Sequence, residues 1–334
     1  MPAPAVSVLL PAWNAAATLG PALRSIQRQS FSDFECLVVD DGSDDATAAT
    51  AESFARADAR FKLLQGPRAG VAGALSRGLG ACRGRFIARM DADDLAHRAR
   101  LELQVARLER EPALAAVGAW VWMFPRHSLS DGLRAHEGWL NSLGDAASVA
   151  RDAFVECPIV HPTLCIRAEL LRAYGYREMG WPQDYDLVLR LLAAGQKLAV
   201  VERPLLGWRD GPERVTRCAD YTRRERLVAC KAHHLALGFL AEGDRYVLWG
   251  YGDTGRALCR ALGERGKRPE LVVELHPGRI GQRIAGAPVV HPRELGPGAA
   301  RIVISVSGLA ARTEARARAA AQGLVEGRDF VVAA

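Results

Sequence analysis

Short apolar runs alternate with longer amphipathic segments along the first third of the chain. A short uninterrupted apolar run fits a buried strand, whereas a longer segment with a period of 3.6 residues fits a helix. We therefore predict strands at 6–11, 34–39 and 61–64, helices at 15–29, 46–56 and 70–81, and a further strand from Phe86. Strands and helices that alternate in this way are typical of a doubly wound, mostly parallel α/β sheet flanked by helices.

The pattern is less regular after residue 96, until a second α/β unit begins near Arg245. Before that point we predict a helix at 97–111, a strand at 113–124, a polar loop at 125–138, a helix at 139–154, a strand at 158–167 and helices from about 183 and at 220–240. After it we predict strands at 246–249, 271–274 and 302–308 and helices ending at 265 and spanning 309–321. The predicted domains are residues 1–218, a helical linker at 219–244 and a small Rossmann-like α/β domain at 245–334.

Composition narrows the class of protein. The chain has 334 residues and a formal net charge of +6, carried largely by isolated Arg residues. Such a distribution favours small anionic ligands over nucleic acid. No apolar run approaches the ~20 residues of a membrane span, and the N-terminus lacks the pattern of a signal peptide. The seven Cys residues form no Cys-x-x-Cys pair, which argues against a zinc site and favours buried thiols in the cytoplasm.

Carboxylates cluster where the apolar run from Phe86 ends, at Asp91, Asp93 and Asp94. Ligands of open α/β sheets bind at the carboxyl ends of strands, and clustered carboxylates repel each other unless a cation lies among them. Because hard cations such as Mg²⁺ share oxygen ligands with phosphates, the pattern suggests a metal–diphosphate site. The alternative is an acidic loop in which Asp93 or Asp94 only caps the following helix.

Two further segments point to a nucleotide. The first strand leads into Pro11-Ala12-Trp13-Asn14 and the second into Asp40-Asp41-Gly42-Ser43, where Gly42 permits a tight turn. Neither Gly-x-Gly-x-x-Gly nor Gly-Lys-Ser/Thr follows the first strand, which excludes a dinucleotide fold and a P-loop there. Together with Met90-Asp91-Ala92-Asp93-Asp94, these segments resemble, in order and spacing, the three nucleotide-sugar motifs of family 2 glycosyltransferases with the GT-A fold.

The resemblance implies a role for each motif residue. Asp91 would face the ribose or the metal, and Asp93 would hold Mg²⁺ or Mn²⁺ on the diphosphate of a nucleoside-diphosphate sugar, with a UDP-sugar expected. Arg77 stands where the family often has Asn, which leaves the contacts to the donor sugar open. Without the resemblance, a core position is the favoured interpretation of Trp13, and a stacking surface is the alternative. The residues implied to line or bond the base are Pro11, Ala12, Trp13, Asn14 and Asp41, the last in preference to Asp40.

The helix that opens near residue 183 carries the candidate catalytic group. The segment Gln183-Asp184-Tyr185-Asp186-Leu187-Val188 resembles the acceptor-side motif of the family, which is Glu-Asp followed by Tyr-Asp-Leu-Trp. By that resemblance, Asp184 is the general base that takes the proton of an acceptor hydroxyl. Gln183 and Val188 depart from the pattern, and Gln183 lacks the charge of the usual Glu. Without the resemblance, Asp184 is a carboxylate favoured by a helix N-terminus.

Three other features have two interpretations each. Arg209 and Arg214 resemble the Arg or His that approaches the diphosphate, and surface Arg is the alternative. His161 matches a His that the family often shows, and a core His is an equal alternative. The predicted linker helix fits either a solvated helix or a peripheral contact with anionic lipid, through Arg223, Arg224, Arg226 and Lys231.

The C-terminal domain has its own glycine motif. Gly250, Gly252 and Gly255 follow a strand and open a helix, and Glu274 lies 274 − 255 = 19 residues beyond the last of them. This spacing is near the ~20 residues of a ribose-binding acid, but the domain is too short for a full dinucleotide fold. It resembles the Rossmann-like unit beside some sugar-modifying acyltransferases, whose repeats and catalytic His do not follow here. We expect a binding or interaction module, with a purely structural turn as the alternative.

Taken together, these features predict an inverting, metal-dependent glycosyltransferase of bacterial-type surface glycan or polysaccharide synthesis. Its acceptor would be a glycan or a lipid-linked sugar, and its location cytoplasmic or peripheral to the inner membrane face. A nucleotidyltransferase that makes nucleotide sugars fits less well, because no Gly-rich basic loop follows the first strand. A non-catalytic binding or assembly protein is favoured by Gln183 and opposed by Asp91, Asp93 and Asp184. The sequence does not indicate an oligomeric state.

Overall fold

A computed structural model describes residues 3–211, 224–295 and 300–334. Within these ranges the chain forms two compact units, one of residues 3–149, 159–179 and 190–211 and one of residues 150–158, 180–189 and the chain from 224 onward. The predicted boundary near residue 218, as well as Arg214 and Arg223, lies outside the described residues.

The first unit begins with the predicted alternation of strands and helices. In chain order the elements are β1 (Val6–Ala12), α1 (Ala16–Gln27), β2 (Phe34–Asp40), α2 (Thr47–Ala57), β3 (Phe61–Gln65), α3 (Gly70–Ala81) and β4 (Phe86–Arg89). The strands pair in parallel in the order β3-β2-β1-β4. Because Ala12 pairs with Asp40 and Leu9 with Arg89, the carboxyl ends of β1, β2 and β4 lie at one edge of the sheet.

Four more strands extend this sheet: β5 (Leu95–Ala96), β6 (Leu114–Phe124), β7 (Cys165–Arg167) and β8 (Lys197–Arg209). The full order is β3-β2-β1-β4-β7-β6-β8-β5, with β7 antiparallel to both of its neighbours and β6 parallel to β8. The predicted GT-A type of mostly parallel α/β sheet is thereby confirmed. We did not predict β8, because Glu202, Arg203 and Pro204 interrupt its apolar pattern where its register to β6 shifts.

Helices of the first half continue with α4 (Arg100–Arg110), α5 (Asp131–Leu140), α6 (Ala146–Arg151), α7 (Ala168–Tyr174) and α8 (Gln183–Ala193). The predicted polar loop at 125–138 is wrong, since a 3₁₀ turn and most of α5 occupy it. The predicted single helix at 139–154 is also wrong. The structure has the end of α5, a turn and the separate helix α6 in this range. Polar residues misled us here: Ser130 caps α5 by accepting a hydrogen bond from the Leu133 N–H (3.3 Å).

The predicted strand at 158–167 is only partly correct. A 3₁₀ turn spans His161–Thr163, and extended pairing is confined to β7. Pro162 within this turn has no N–H to donate to a sheet, and Thr163 Oγ1 instead bonds the carbonyl of Val160 (2.7 Å).

Glu35 in β2 is a buried carboxylate that nearby donors hold in its charged form. Its oxygens accept hydrogen bonds from Ser7 Oγ (2.7 Å), Lys62 Nζ (2.7 Å) and the Arg83 N–H (2.9 Å). Burial by itself would raise the pKa of Glu35, but these hydrogen bonds outweigh burial and lower the pKa to about 2.

We expect this carboxylate to make the first unit sensitive to acid. Since the folded pKa of about 2 lies below the ordinary value of 4.5, the stabilisation is complete above pH 4.5 and is lost as the pH falls toward 2. Glu35→Gln should lower the free energy of unfolding at neutral pH and flatten its acid dependence, whereas the exposed Asp131→Asn should do neither. Urea denaturation over a pH series measures both effects. Equal acid dependence in the Glu35 variant and the wild type would contradict this assignment.

The second unit contains a smaller sheet. Its elements are α9 (Arg224–Leu237), β9 (Arg245–Trp249), α10 (Asp253–Gly263), β10 (Arg268–Val273), β11 (Arg283–Ile284), β12 (Ala287–Val290), β13 (Ile302–Ile304), α11 (Leu309–Ala321) and β14 (Phe330–Val332). The strand order is β11-β12-β10-β9-β13-β14, parallel except between β11 and β12. Leu235 of α9 packs with Leu248, Leu258 and Leu262 in its core.

Lys231 does not belong to an exposed surface of α9, contrary to both interpretations of the predicted linker helix. Its side chain is buried, and Nζ donates to the carbonyls of Val155 (2.6 Å) and Ala333 (3.2 Å). Burial lowers the pKa of Lys231 to about 8. Of the four predicted basic residues, Arg224 and Arg226 are exposed within the described chain. Among the residues that the structure describes, no helix combines the length and apolarity needed to cross a membrane.

Candidate functional site

Hydrogen bonds from the motif Pro11-Ala12-Trp13-Asn14 join the ends of β1 and β2. The Ala12 carbonyl, at the end of β1 after Pro11, accepts from the Asp41 N–H (2.9 Å). Asn14 has a positive φ of 46° and donates its N–H to Ser43 Oγ (3.0 Å). Pro11, Ala12 and Asn14 therefore shape the edge of the sheet by connecting the two strand ends.

Trp13 at this edge is a surface residue rather than a core residue. Its side chain is 49% exposed, and the Arg68 guanidinium stacks over it with its central carbon 3.6 Å from the ring centroid. A guanidinium over an aromatic face is attracted by the ring quadrupole. Trp13 thus presents a face on which a planar group already stacks, and Arg68 is a neighbour that sequence reasoning did not single out.

Asp40 and Asp41 are both buried but have different partners. Asp40 accepts hydrogen bonds from the N–H (3.2 Å) and Oγ (2.5 Å) of Ser43, which closes the turn after β2. Asp41 accepts from Arg68 Nη1 (3.1 Å) and from the Ala69 N–H (2.9 Å). Asp40 therefore has a role in the turn, whereas Asp41 belongs to the polar group beside Trp13.

Arg77 also lies beside Asp41, with its Nη1 3.7 Å from the carboxylate. Its Nη2 donates to the Pro67 carbonyl (2.9 Å), and its guanidinium lies directly over Gly66. A Cβ on Gly66 would be 2.3 Å from the central guanidinium carbon, so any larger residue would displace Arg77. Within the described structure Arg77 is thus a partner of Asp41, in the motif that follows β2.

Asp91, Asp93 and Asp94 meet at the carboxyl end of β4. One carboxylate oxygen from each lies within 4.8 Å of the others. Asp94 is buried, and its Oδ2 has no hydrogen-bond partner among the described residues. Burial, reinforced by the charges of Asp91 and Asp93, raises the pKa of Asp94 well above its usual range. A divalent cation would relieve this repulsion, and the all-oxygen donor set fits Mg²⁺ or Mn²⁺.

Two arginines hold the carboxylate cluster in place. Arg89, the last residue of β4, is buried and forms an ion pair with Asp91. Arg209, at the end of β8, donates its N–H to Asp94 Oδ1 (2.8 Å) and its Nε to the Asp93 carbonyl (2.7 Å). The structure thus brings the predicted Arg209 to the cluster. It also adds Arg89, for which the only available signal was a charged residue within an apolar run, and it shows that Asp94 of the predicted cluster is buried.

His161 is a buried side chain of the core. Its Nε2 lies 3.0 Å from the Tyr176 hydroxyl, and burial followed by the charge of Arg89 lowers the pKa of His161 well below its usual value. These contacts favour the core interpretation over a direct role in chemistry.

Asp184 lies in the first turn of α8 and is partly buried. Its neighbours along the helix are anchored: Tyr185 Oη donates to the Ala153 carbonyl (2.8 Å), and Asp186 Oδ1 accepts from Trp181 Nε1 (3.2 Å). Gln183 is buried as well. The start of α8 is therefore a firmly held segment, which restricts the directions that Asp184 can take.

The glycine motif of the second unit is a tight strand-to-helix turn. Gly250 has a φ of +95°, and a Cβ on Gly255 would be only 2.2 Å from the Gly250 carbonyl oxygen. Gly252 lies at the N-cap of α10 with open space around it. Glu274 Oε1 accepts from the Tyr251 N–H (2.7 Å) and from Arg279 Nη1 (3.1 Å). The predicted ribose-binding acid thus stabilises the turn itself, which favours a structural role.

A mostly parallel sheet with clustered carboxylates and an exposed aromatic ring at its strand ends defines the GT-A class of nucleotide-sugar enzymes, and the comparisons agree. The family model "Glycosyl transferase family 2" matches residues 7–163. Putative glycosyltransferase EpsE of Bacillus subtilis is 33% identical over 198 residues, which cover 58% of this chain and 68% of the relative. The chain belongs to family 2 of the glycosyltransferases.

Solved structures share the fold. TarS of S. aureus, crystallised with UDP-GlcNAc, superposes with a TM-score of 0.57 at 16% identity, over 77% of this chain and 71% of TarS. The mannosyltransferase PcManGT of Pyrobaculum calidifontis, in complex with GDP-Man and Mn²⁺, has a TM-score of 0.52 at 21% identity, over 78% of this chain and 70% of that protein. At these identities the similarity concerns the fold alone.

Proposed function

We propose that this glycosyltransferase is metal-dependent and inverting, and that it moves a sugar from a nucleoside-diphosphate sugar to a hydroxyl of a glycan or lipid-linked acceptor in polysaccharide synthesis. The observation that carries the proposal is the carboxylate cluster at the end of β4. Three carboxylates lie together there, and one buried oxygen of Asp94 is left without a partner among the described residues. Such an arrangement is costly unless a cation or a proton is shared among them.

The donor is proposed to bind along the edge formed by β1, β2 and β4. The base would stack on Trp13, where Arg68 now lies, and would bond Asp41. Asp91 and Asp93 would hold Mg²⁺ or Mn²⁺, which when bound neutralises charge on the leaving diphosphate. Arg209, which the cluster orients, would add a guanidinium to the same phosphates. The nucleotide sugars bound by TarS and PcManGT support this class of donor, and we expect a UDP-sugar.

The acceptor step is proposed to rest on Asp184. A carboxylate in the first turn of a firmly held helix can take the proton of an acceptor hydroxyl as its oxygen attacks the anomeric carbon. Attack from the face opposite the diphosphate forms the new C–O bond as the old one breaks. One such displacement inverts the anomeric configuration. The position of Asp184 in the acceptor-side motif supports this role.

Calorimetric titration with UDP, GDP and TDP, each with and without Mn²⁺, tests the donor half. We expect one nucleotide to bind in a Mn²⁺-dependent manner. Trp13→Ala should weaken that binding roughly 5- to 150-fold, because stacking on one base contributes about 1–3 kcal/mol. Met179→Ala, a control that is 44% exposed, should bind as the wild type does. Failure of all three nucleotides to bind folded protein would contradict the proposal.

A non-catalytic binding protein is the second candidate function, because Gln183 stands where the family usually has Glu and is buried at the start of α8. Metal-dependent nucleotide binding without any transfer to a panel of glycan acceptors would favour it.

We retain, as proposals, the domain division at 218/219 and 244/245, a peripheral membrane contact on the cytoplasmic side, and a binding or interaction role for residues 245–334 around Gly250, Gly252, Gly255 and Glu274.

A further inference from the structure

Three side chains of metal-ligand type meet within the second unit. They are Asp186 of α8 and Cys230 and His234 of α9. A carboxylate oxygen, the sulfur and an imidazole nitrogen all lie within 4.8 Å of one another. Asp186 and Cys230 are buried, and the His234 side chain is 9% exposed. Nothing in the catalytic proposal accounts for this group.

The arrangement is that of a prepared site. Cys230 and His234 are four residues apart on one helix and therefore share a face. His234 Nε2 lies 3.1 Å from Asp186 Oδ1, and Trp181 Nε1 donates to that oxygen (3.2 Å). Indirect support of this kind orients metal ligands. A hydrogen-bonded Asp–His pair by itself would explain Asp186 and His234, but it would not explain why the Cys230 sulfur belongs to the same group.

We propose that Asp186, Cys230 and His234 bind one Zn²⁺ ion, with a water molecule as the fourth ligand. Zn²⁺ binds sulfur, nitrogen and oxygen ligands at roughly 2.0–2.3 Å, so its ligand atoms lie about 3.3–3.8 Å apart in a tetrahedron. The 3.1 Å between His234 Nε2 and Asp186 Oδ1 is close to this spacing, and the remaining ligand atoms, which lie within 4.8 Å of one another, would move closer together on binding. A thiolate and an imidazole select Zn²⁺ over Mg²⁺ or Mn²⁺, whereas the oxygen-only cluster of Asp91, Asp93 and Asp94 favours the hard cations. The two sites therefore differ in chemistry.

This site would fix the first turn of α8, because one ligand lies on α8 and two lie on α9. Asp184 is two residues from Asp186, so the ion would act as a positioning element for that turn. This consequence rests on the proposed role of Asp184, whereas zinc binding itself does not.

Cobalt titration of metal-free full-length protein tests the site. Co²⁺ bound to a thiolate gives a near-ultraviolet charge-transfer band, which the carboxylate cluster cannot produce because it contains no sulfur. We expect the band in the wild type, its displacement by Zn²⁺, and about one zinc per chain after dialysis. Asp93→Asn should leave all of this unchanged, which separates the zinc site from the donor site. Cys259→Ser, which alters another buried thiol of the second unit, is the matched control.

Two variants probe the ligands. Cys230→Ser should lose the charge-transfer band and the bound zinc. His234→Gln retains a hydrogen-bonding group beside Asp186, so its circular dichroism spectrum should match that of the wild type. The variant should nevertheless bind zinc at least ~10-fold more weakly. The proposal is overturned if folded wild type retains no zinc and shows no thiolate band. It is also overturned if the band persists in Cys230→Ser.

Discussion

Replacing Asp184 with Asn is expected to lower the rate of sugar transfer about 1000-fold, because a positioned general base typically contributes 10²- to 10⁴-fold. Asn has nearly the same size and can still accept hydrogen bonds at the start of α8, so the fold should be retained. What it cannot do is take the proton of the acceptor hydroxyl. The affinity for the donor nucleotide should change by less than about twofold, since the base acts in the transition state rather than in donor binding.

Transfer rates at saturating donor, together with calorimetric binding of the nucleotide, measure the two effects separately. Asp131→Asn makes the same chemical change at an exposed position in α5 and should behave as the wild type does. A variant at Asp184 that transfers sugar at the wild-type rate would remove this residue as the base. Loss of both transfer and nucleotide binding would instead indicate a structural role.

Replacing Asp93 with Asn is expected to abolish the Mn²⁺ dependence of nucleotide binding and to lower turnover by about 100-fold or more, since a bound cation contributes several kcal/mol to charge stabilisation. The change removes one anionic oxygen from the cluster at the end of β4. Arg209 Nε bonds the Asp93 backbone carbonyl, so this contact should persist in the variant.

Titration of the variant with the nucleotide that the wild type binds, with and without Mn²⁺, measures this loss. Asp131→Asn again serves as the control for a lost carboxylate. Unaltered enhancement of nucleotide binding by Mn²⁺ in the Asp93 variant would show that the cation is held elsewhere. The zinc content of this variant should stay at the wild-type level, so a general loss of metal binding would indicate unfolding.

Local signals were sufficient for most of the strands and for the order of the motifs. Val6–Ala12 and Phe34–Asp40 are mostly apolar, with Ser7 and Glu35 as polar exceptions before their last residues, and each is followed by residues that turn the chain. Prediction failed where local signals conflict with packing. Polar residues at 125–138 suggested a loop, but Trp139 and Leu140 are buried at the end of α5 and give that helix an apolar face. The strand β8 was not predicted, because polar residues interrupt its apolar pattern although the strand pairs along its length with β6.

The interactions within the candidate site were less predictable than the motifs. Arg68 stacks on Trp13 although 55 residues separate them (68 − 13), and Arg209 reaches Asp94 across 115 residues of sequence. The predicted ribose acid Glu274 proved to bond its own glycine turn through Tyr251, which a spacing rule does not reveal. Scattered Cys residues argued against zinc, yet Cys230 lies with His234 and Asp186.

The sequence by itself determined the α/β class, the order of the first strands and the position of the three motifs at the strand ends. These features depend on periodicity and on residues close in the chain, where the backbone allows few alternatives. Only the tertiary structure decided that Trp13 is exposed, that Lys231 is buried, and that Arg89 and Arg209 support the carboxylates from two different strands. Burial and charge pairing depend on what packs against a residue, and those partners come from distant parts of the chain.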